Sequence, residues 1–238
     1  MLAIFLKWKI KCKKVCISSR GSRKISEEPA NHPGVGSQEE VFKILGVHDI
    51  SGFYNESSIR KEELRQSCKI LGIPAGNLII IEHSFFPPSQ LPDNPEVKWS
   101  RLKVSSIILK YVRHLSATVV ISFDQSGVSG HLNHIAVYDG LESLIFKGLL
   151  SEDCEVYLLK SVFLFQKYLG FLIVPLLYMC VSFSFASTFH DVKTIWKSMK
   201  EHKSQFVWFR KLYIVFSQYV YMNTFIKCQN KRLVQKDM

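Results

Sequence analysis

Apolar positions along the chain fall into short β-branched runs separated by stretches with helical spacing. Ala117 to Phe123 is an apolar run rich in valine and isoleucine, and it predicts a buried strand. Asn77–Ile81 and Val156–Phe165 predict two further strands, and Val41–Val47 is a short apolar-patterned segment. Between them, Ile59, Leu64, Cys68 and Leu71 recur at helical spacing within 55–71. That segment opens on Asn-Glu-Ser-Ser, a good helix start, and Gly72 and Pro74 stop it. Val97–Leu115, His131–Lys147 and Asp191–His202 read as helices by the same pattern. Helix and strand alternate at the spacing of βαβ units. This predicts an α/β fold with a mostly parallel sheet covered by helices on both faces.

Two segments admit more than one reading. Tyr168–Phe189 carries no charge for 22 residues, long enough to cross a bilayer. Its Gly170, Pro175 and serines fit a buried strand–turn–strand equally well, and packing is the slightly favoured expectation. Residues 202–225, beginning His-Lys-Ser-Gln, interleave many aromatics with Lys203, Arg210 and Lys211. They predict a terminal helix laying an aromatic stripe on the domain. The alternative is a surface facing a membrane, because Trp and Tyr favour the lipid–water boundary.

Composition narrows the class. At 47% apolar and 21% charged, the 238 residues are those of a globular protein rather than a disordered one. The net charge of +11 is concentrated at the start. Lys7, Lys9, Lys11, Lys13, Lys14, Arg20, Arg23 and Lys24 come before any acid, and 18–39 is rich in Ser, Gly and Pro. The expectation is a basic, disordered arm at 1–39 and a domain at 40–238. Such an arm suits anionic lipid headgroups. Nucleic acid is not an expected partner, since no recognised nucleic-acid module accompanies the charge. The six cysteines are scattered without a C-x2-C pair, so neither a disulfide framework nor a structural zinc site is expected.

The candidate chemistry sits after the strand at 117–123. Asp124 ends it, Gly127 and Gly130 make a loop, and His131 and His134 open the next helix. Open α/β sheets place ligands at such a strand end. The i, i+3 spacing puts both imidazoles on one helix face. Two histidines supply only part of a catalytic zinc site, which takes three protein ligands and a water. His32 lies in the polar linker; His48-Asp49 could approach the strand ends, with a surface turn the favoured reading. Arg60 and Glu63 are either a substrate-facing pair, with the guanidinium on a phosphate, or an ordinary helix-surface pair. Asp124 either orients a histidine or caps the loop. His83, His114, His190 and His202 read as structural or exposed.

The Gly130-His-Leu-Asn-His134 run, following Val120-Ile-Ser-Phe-Asp124 and Gly127-Val-Ser129, resembles the LmbE-like zinc de-N-acetylase family. Residues 59–74, 123–141, the pair Lys167-Tyr168 and residues 202–219 narrow this to the eukaryotic branch acting in GPI-anchor biosynthesis, over about residues 52–225. The resemblance implies a Rossmann-like sheet and metal-dependent hydrolysis of an acetamide on a glycosylated phosphatidylinositol. It implies a divalent metal, zinc, with His134 as a ligand, His131 steadying the transition state and Arg60 reaching the phosphate. It also implies a membrane surface, at the cytoplasmic face of the endoplasmic reticulum. The family's His-Pro-Asp-Asp, which provides two further metal ligands and the general base, is not found in this sequence, nor is the apolar first strand before it. The resemblance is therefore to a domain incomplete at its N-terminus. A second reading is a catalytically silent relative, or a variant with a replaced N-terminus, serving as a membrane-associated binding protein.

Overall fold

The computed structural model describes residues 44–48, 57–82, 91, 97–168, 172 and 184–228. The basic arm at 1–39, His32, Asp49, His83 and most of 168–189 lie outside the described residues.

Chain order is β1 (Ile44–His48), α1 (Ser57–Ile70), a 3-10 turn and β2 (Leu78–Glu82), then α2 (Arg101–His114) and β3 (Val119–Phe123). A single turn α3 (Gly127–Gly130), α4 (Leu132–Phe146), β4 (Glu155–Leu159) and α5 (Leu164–Tyr168) follow. The described chain ends with β5 (Ser184–Ala186), α6 (Phe189–Lys200), α7 (Trp208–Phe216), α8 (Gln218–Tyr221) and β6 (Met222–Cys228). The helices and strands expected at 55–71, 77–81, 97–115, 117–123, 131–147 and 191–202 are all present, with ends shifted by a few residues.

Among the described residues the strands form a parallel pair, β1–β2, and a four-stranded sheet in the order β3-β4-β6-β5. β3 and β4 run parallel, while β6 is antiparallel to both β4 and β5. The sheet is thus mixed rather than mostly parallel. The reason is the C-terminal segment. Expected to end as a helix, it turns after α8 into β6, which slots beside β4 with Leu158 opposite Ile226. The strand expected at 156–165 also stops early, at Leu159, and the chain re-enters a helix at Leu164. Among the described residues no helix is long and apolar enough to cross a membrane.

Alternation along β3 and β4 sends successive side chains to opposite faces. Val119, Tyr157 and Leu159 join Leu64, Cys68 and Leu71 of α1, Ile195 and Met199 of α6, Ile214 of α7 and Tyr219 and Val220 of α8. Val120, Val156 and Leu158 join Val112 of α2 and Leu141 and Leu144 of α4 on the other side. The result is a helix–sheet–helix sandwich. Polar ties close the first layer: the Ser67 and Ser198 hydroxyls meet at 2.6 Å in the buried α1–α6 contact. Thr188 and Asp191 form a reciprocal capping box that starts α6.

On the opposite layer α2 and α4 cross where Gly140 leaves no side chain between them. A Cβ there would lie 2.8 Å from Val104 Cγ1 and 3.2 Å from the Ser105 backbone nitrogen. Ser105 Oγ donates to the Gly140 carbonyl at 3.0 Å across the same crossing. We predict that Gly140→Ala lowers unfolding free energy by about 1–3 kcal/mol through overpacking, measured by urea denaturation. Gly76→Ala, where a Cβ meets nothing within 4 Å, should stay within about 0.5 kcal/mol.

Candidate active site

Asp124 terminates β3, and its carboxylate is saturated by neighbouring donors. Oδ1 accepts from the Ser126 backbone N–H at 3.1 Å and from Ser161 Oγ at 2.5 Å, while Oδ2 accepts from the Ser161 N–H at 2.5 Å. Ser161 lies just past the end of β4, so this one side chain ties together the carboxyl ends of two adjacent parallel strands. None of its hydrogen bonds goes to an imidazole.

The loop that follows is held in an unusual shape. Gly127 has φ +57° and Val128 has φ +69°. For a β-branched residue that conformation is strained. Val128 is nevertheless buried, and its N–H donates to Ser161 Oγ at 2.9 Å. Glycine at 127 is needed twice over. Its backbone is left-handed, and a Cβ would sit 3.0 Å from Ile135 Cγ1 and 3.1 Å from His134 Cβ. The absent side chain lets α4 approach closely, and the Gly127 carbonyl lies 3.1 Å from His134 Nδ1.

That contact fixes the tautomer. With Nδ1–H donated to a carbonyl, His134 keeps its Nε2 lone pair free, the form in which histidine ligates metals. The ring stacks on Phe123 at a centroid separation of 4.0 Å and on His131 at 4.7 Å. Burial pushes its pKa down to about 4, and the Gly127 contact opposes this. His134 is therefore neutral near pH 7. His131 takes the complementary tautomer. It is the N-cap of α4, where Nδ1 accepts from the Asn133 N–H at 3.3 Å, so its proton resides on Nε2. One ring offers a lone pair and its neighbour a donor.

Among the described residues no group of three or more His, Cys, Asp or Glu side chains could hold a metal ion. One imidazole is not a zinc centre, so the described residues alone do not make up the metal site that the resemblance implies. His48 ends β1 in register with Glu82.

Arg60 and Glu63 lie on α1. Glu63 is buried, and its carboxylate accepts from the Ser204 N–H at 2.6 Å and Ser204 Oγ at 2.7 Å. This anchors the 3-10 turn at Lys203–Gln205 to α1. Sequence spacing gave no hint of this tie across 141 positions. Arg210 of α7 donates to Gln205 at 2.8 Å; burial, and then the nearby Arg60 charge, lower its pKa. The described structure thus sets two guanidiniums in electrostatic contact at the α1–α7 junction. The Ser161 clamp was likewise missed from sequence, because Ser161 lay inside the strand expected at 156–165 and only the early end of β4 at Leu159 frees it to reach Asp124.

Comparisons with known proteins bear on the family and the fold. A family model described as "PIG-L: GlcNAc-PI de-N-acetylase" matches residues 5–145. It takes in N-terminal residues that the sequence resemblance had left aside. The chain is 39% identical to the N-acetylglucosaminyl-phosphatidylinositol de-N-acetylase of Bos taurus, over 72% of this chain and 66% of that protein. It is 30% identical to a probable enzyme of the same name from Dictyostelium discoideum, over 71% of this chain and 75% of that one. In fold it resembles the N,N'-diacetylchitobiose deacetylase of Pyrococcus horikoshii, with a TM-score of 0.51, 13% identity, and coverage of 78% of this chain and 73% of that one.

A second half-buried histidine gives a pH prediction. Burial lowers His202 to about 4 from 6.5, with the Glu63 carboxylate raising it and Arg210 lowering it. Between those values the unfolded chain binds a proton that the native state refuses, so stability falls as pH drops from about 6.5 toward 4 and is flat above. His202→Gln should flatten this acid limb by about 2–3 kcal/mol near pH 4, read from denaturant midpoints across pH. An unchanged slope would show that the imidazole is solvated.

Proposed function

The chain belongs to the PIG-L family of GlcNAc-PI de-N-acetylases. From that premise we propose that it hydrolyses the acetamide of N-acetylglucosaminyl-phosphatidylinositol, releasing acetate during GPI-anchor biosynthesis. The observation that carries the proposal is the stacked pair His131–His134 at the carboxyl end of β3, with its two rings in opposite tautomers. The deacetylase names of the relatives favour this enzymatic reading over a silent relative.

In this reading His131 Nε2–H is the donor aimed at negative charge that develops on the acetamide oxygen or at the leaving amine. A donor held by its own capping bond needs no reorganisation as charge builds, which is where such groups contribute most. His134 presents Nε2 as a metal ligand, and Phe123 and Gly127 hold its ring in place. Arg60 reaches the substrate phosphate, and Asp124 keeps the loop in shape. A divalent metal would polarise the carbonyl and acidify a water, and it needs ligands beyond His134.

The substrate is a lipid, and one face of the molecule supports work at a membrane surface. Phe163 and Phe165 at α5 are 85% and 83% exposed, and Trp208 and Phe209 of α7 are 72% and 54% exposed. The exposed Lys203 and Lys211 are interleaved with them. Apolar rings that dip below the headgroups, with cations at headgroup level, are the composition of an interfacial helix. The proposed location is the cytoplasmic face of the endoplasmic reticulum membrane.

Two experiments test the reading. Purified chain should release acetate from N-acetylglucosaminyl-phosphatidylinositol in detergent micelles. His134→Ala should abolish turnover and lower bound metal, while His131→Ala should lower kcat by about 10²–10³ with metal content unchanged. No acetate release from metal-supplemented wild type would sink the enzymatic reading. Separately, the Trp208→Ser/Phe209→Ser pair should weaken sedimentation with anionic vesicles by about tenfold or more. Equal sedimentation would remove α7 from the membrane contact.

A further inference from the structure

Beyond the histidine pair, the least expected side chain is Lys167. It is only 8% exposed, on the short helix α5. Its ammonium lies 5.7 Å from the Tyr168 ring centroid and 5.5 Å from that of Tyr213 on α7. Among the described residues no carboxylate pairs with it. Burial lowers its pKa. Two aromatic faces offset only part of what a buried ammonium loses in leaving water. The Tyr213 hydroxyl is buried as well, and among the described residues it has no hydrogen-bond partner of good geometry, Ser217 being a polar neighbour.

The cage is continuous with the candidate active site. The Tyr219 hydroxyl accepts from the Val162 N–H at 3.0 Å. Val162 follows Ser161, which Asp124 holds. Burial raises the Tyr213 pKa, and Tyr219 lies close enough for its charge to raise it further. A wall therefore runs from Asp124 through Ser161, Tyr219 and Tyr213 to Lys167. Phe163, Phe165 and Tyr168, next to Lys167 along the chain, are exposed.

We propose that Lys167, framed by Tyr168 and Tyr213, is a second phosphate-binding residue, which takes the phosphodiester of the substrate together with Arg60. This rests on the deacetylase reading above. An anion there completes an ion pair that the fold leaves half-built, and the cage stiffens a side chain that is ordinarily mobile. The lysine acts in binding and specificity, remote from the acetamide. Phosphodiesters of bulk phospholipid share this chemistry, and the arms of the test separate the two sources.

In neutral detergent, Lys167→Met should raise KM for N-acetylglucosaminyl-phosphatidylinositol by roughly tenfold with kcat within about twofold. It should leave the slow deacetylation of phosphate-free N-acetylglucosaminyl-inositol unchanged. Lys167→Arg should recover most of the loss, since it keeps the charge. Methionine removes a buried charge without opening a void, so thermal unfolding should be no lower than in wild type. If that variant nevertheless unfolds, Lys167→Gln carries the same comparison. Equal losses on both substrates, or no loss on either, overturn the proposal. Unchanged kinetics with weakened sedimentation on anionic phospholipid vesicles assigns the lysine to bulk lipid and overturns the substrate assignment. If wild type releases no acetate, the deacetylase reading fails by itself, and calorimetric titration with glycerophosphoinositol decides the lysine. Binding about tenfold weaker in Lys167→Met supports the phosphate site, and equal or undetectable binding overturns it.

Discussion

The carboxylate of Asp124 is the interaction on which the candidate site depends. Three hydrogen bonds converge on it, two of them from Ser161 and one from Ser126. They join the ends of β3 and β4 and close the loop between β3 and α4. Ser161 then passes the restraint on by accepting the Val128 N–H. A β-branched residue with φ +69° costs about 1–3 kcal/mol. Each hydrogen bond to a charged group contributes about 1.5–3 kcal/mol, so the clamp is strong enough to hold the strained loop. The loop in turn presents the Gly127 carbonyl to His134 and sets which imidazole nitrogen is free.

The second half of the chain builds the walls around this point. Glu63 reaches Ser204, and Ser67 meets Ser198, both across the gap between α1 and the C-terminal helices. β6 then returns to pair with β4, which places Tyr219, just before it, against Val162. Ser161, Lys167, Ser204 and Tyr219 all lie past residue 145, where the family match ends. The matched portion contains the histidine pair, and the part beyond it contributes the clamp's partner and the aromatic cage.

The histidine pair illustrates how position assigns role to identical side chains. His131 sits at the helix N-cap, so its Nδ1 is consumed by the backbone and its proton is displaced to Nε2. His134 is one turn on, buried against Phe123, with its Nδ1 facing a carbonyl. Burial keeps the second ring neutral near pH 7. Donor and lone pair thus stand side by side at the carboxyl end of β3.

Much of the architecture was legible in the sequence, because hydrophobic period reports local structure directly. The strand at 117–123, the helices on either side of it and the placement of both histidines at a helix start followed from spacing and from two glycines. The motif around Gly130 to His134 was specific enough to indicate the family. What spacing could not reveal was long-range. The 222–228 segment follows an aromatic helix and carries no turn signal, so only the open edge of β4 made it an antiparallel strand. Glu63 and Arg60 sit three residues apart, yet the acid bonds to Ser204. Lys167 is an ordinary lysine until α7 sets Tyr213 over it. The sequence by itself determined the local elements and the two imidazoles. Tertiary structure decided which carboxylates were consumed as clamps and which cation was left in an aromatic cage, because burial and partner geometry depend on segments brought together from far apart along the chain.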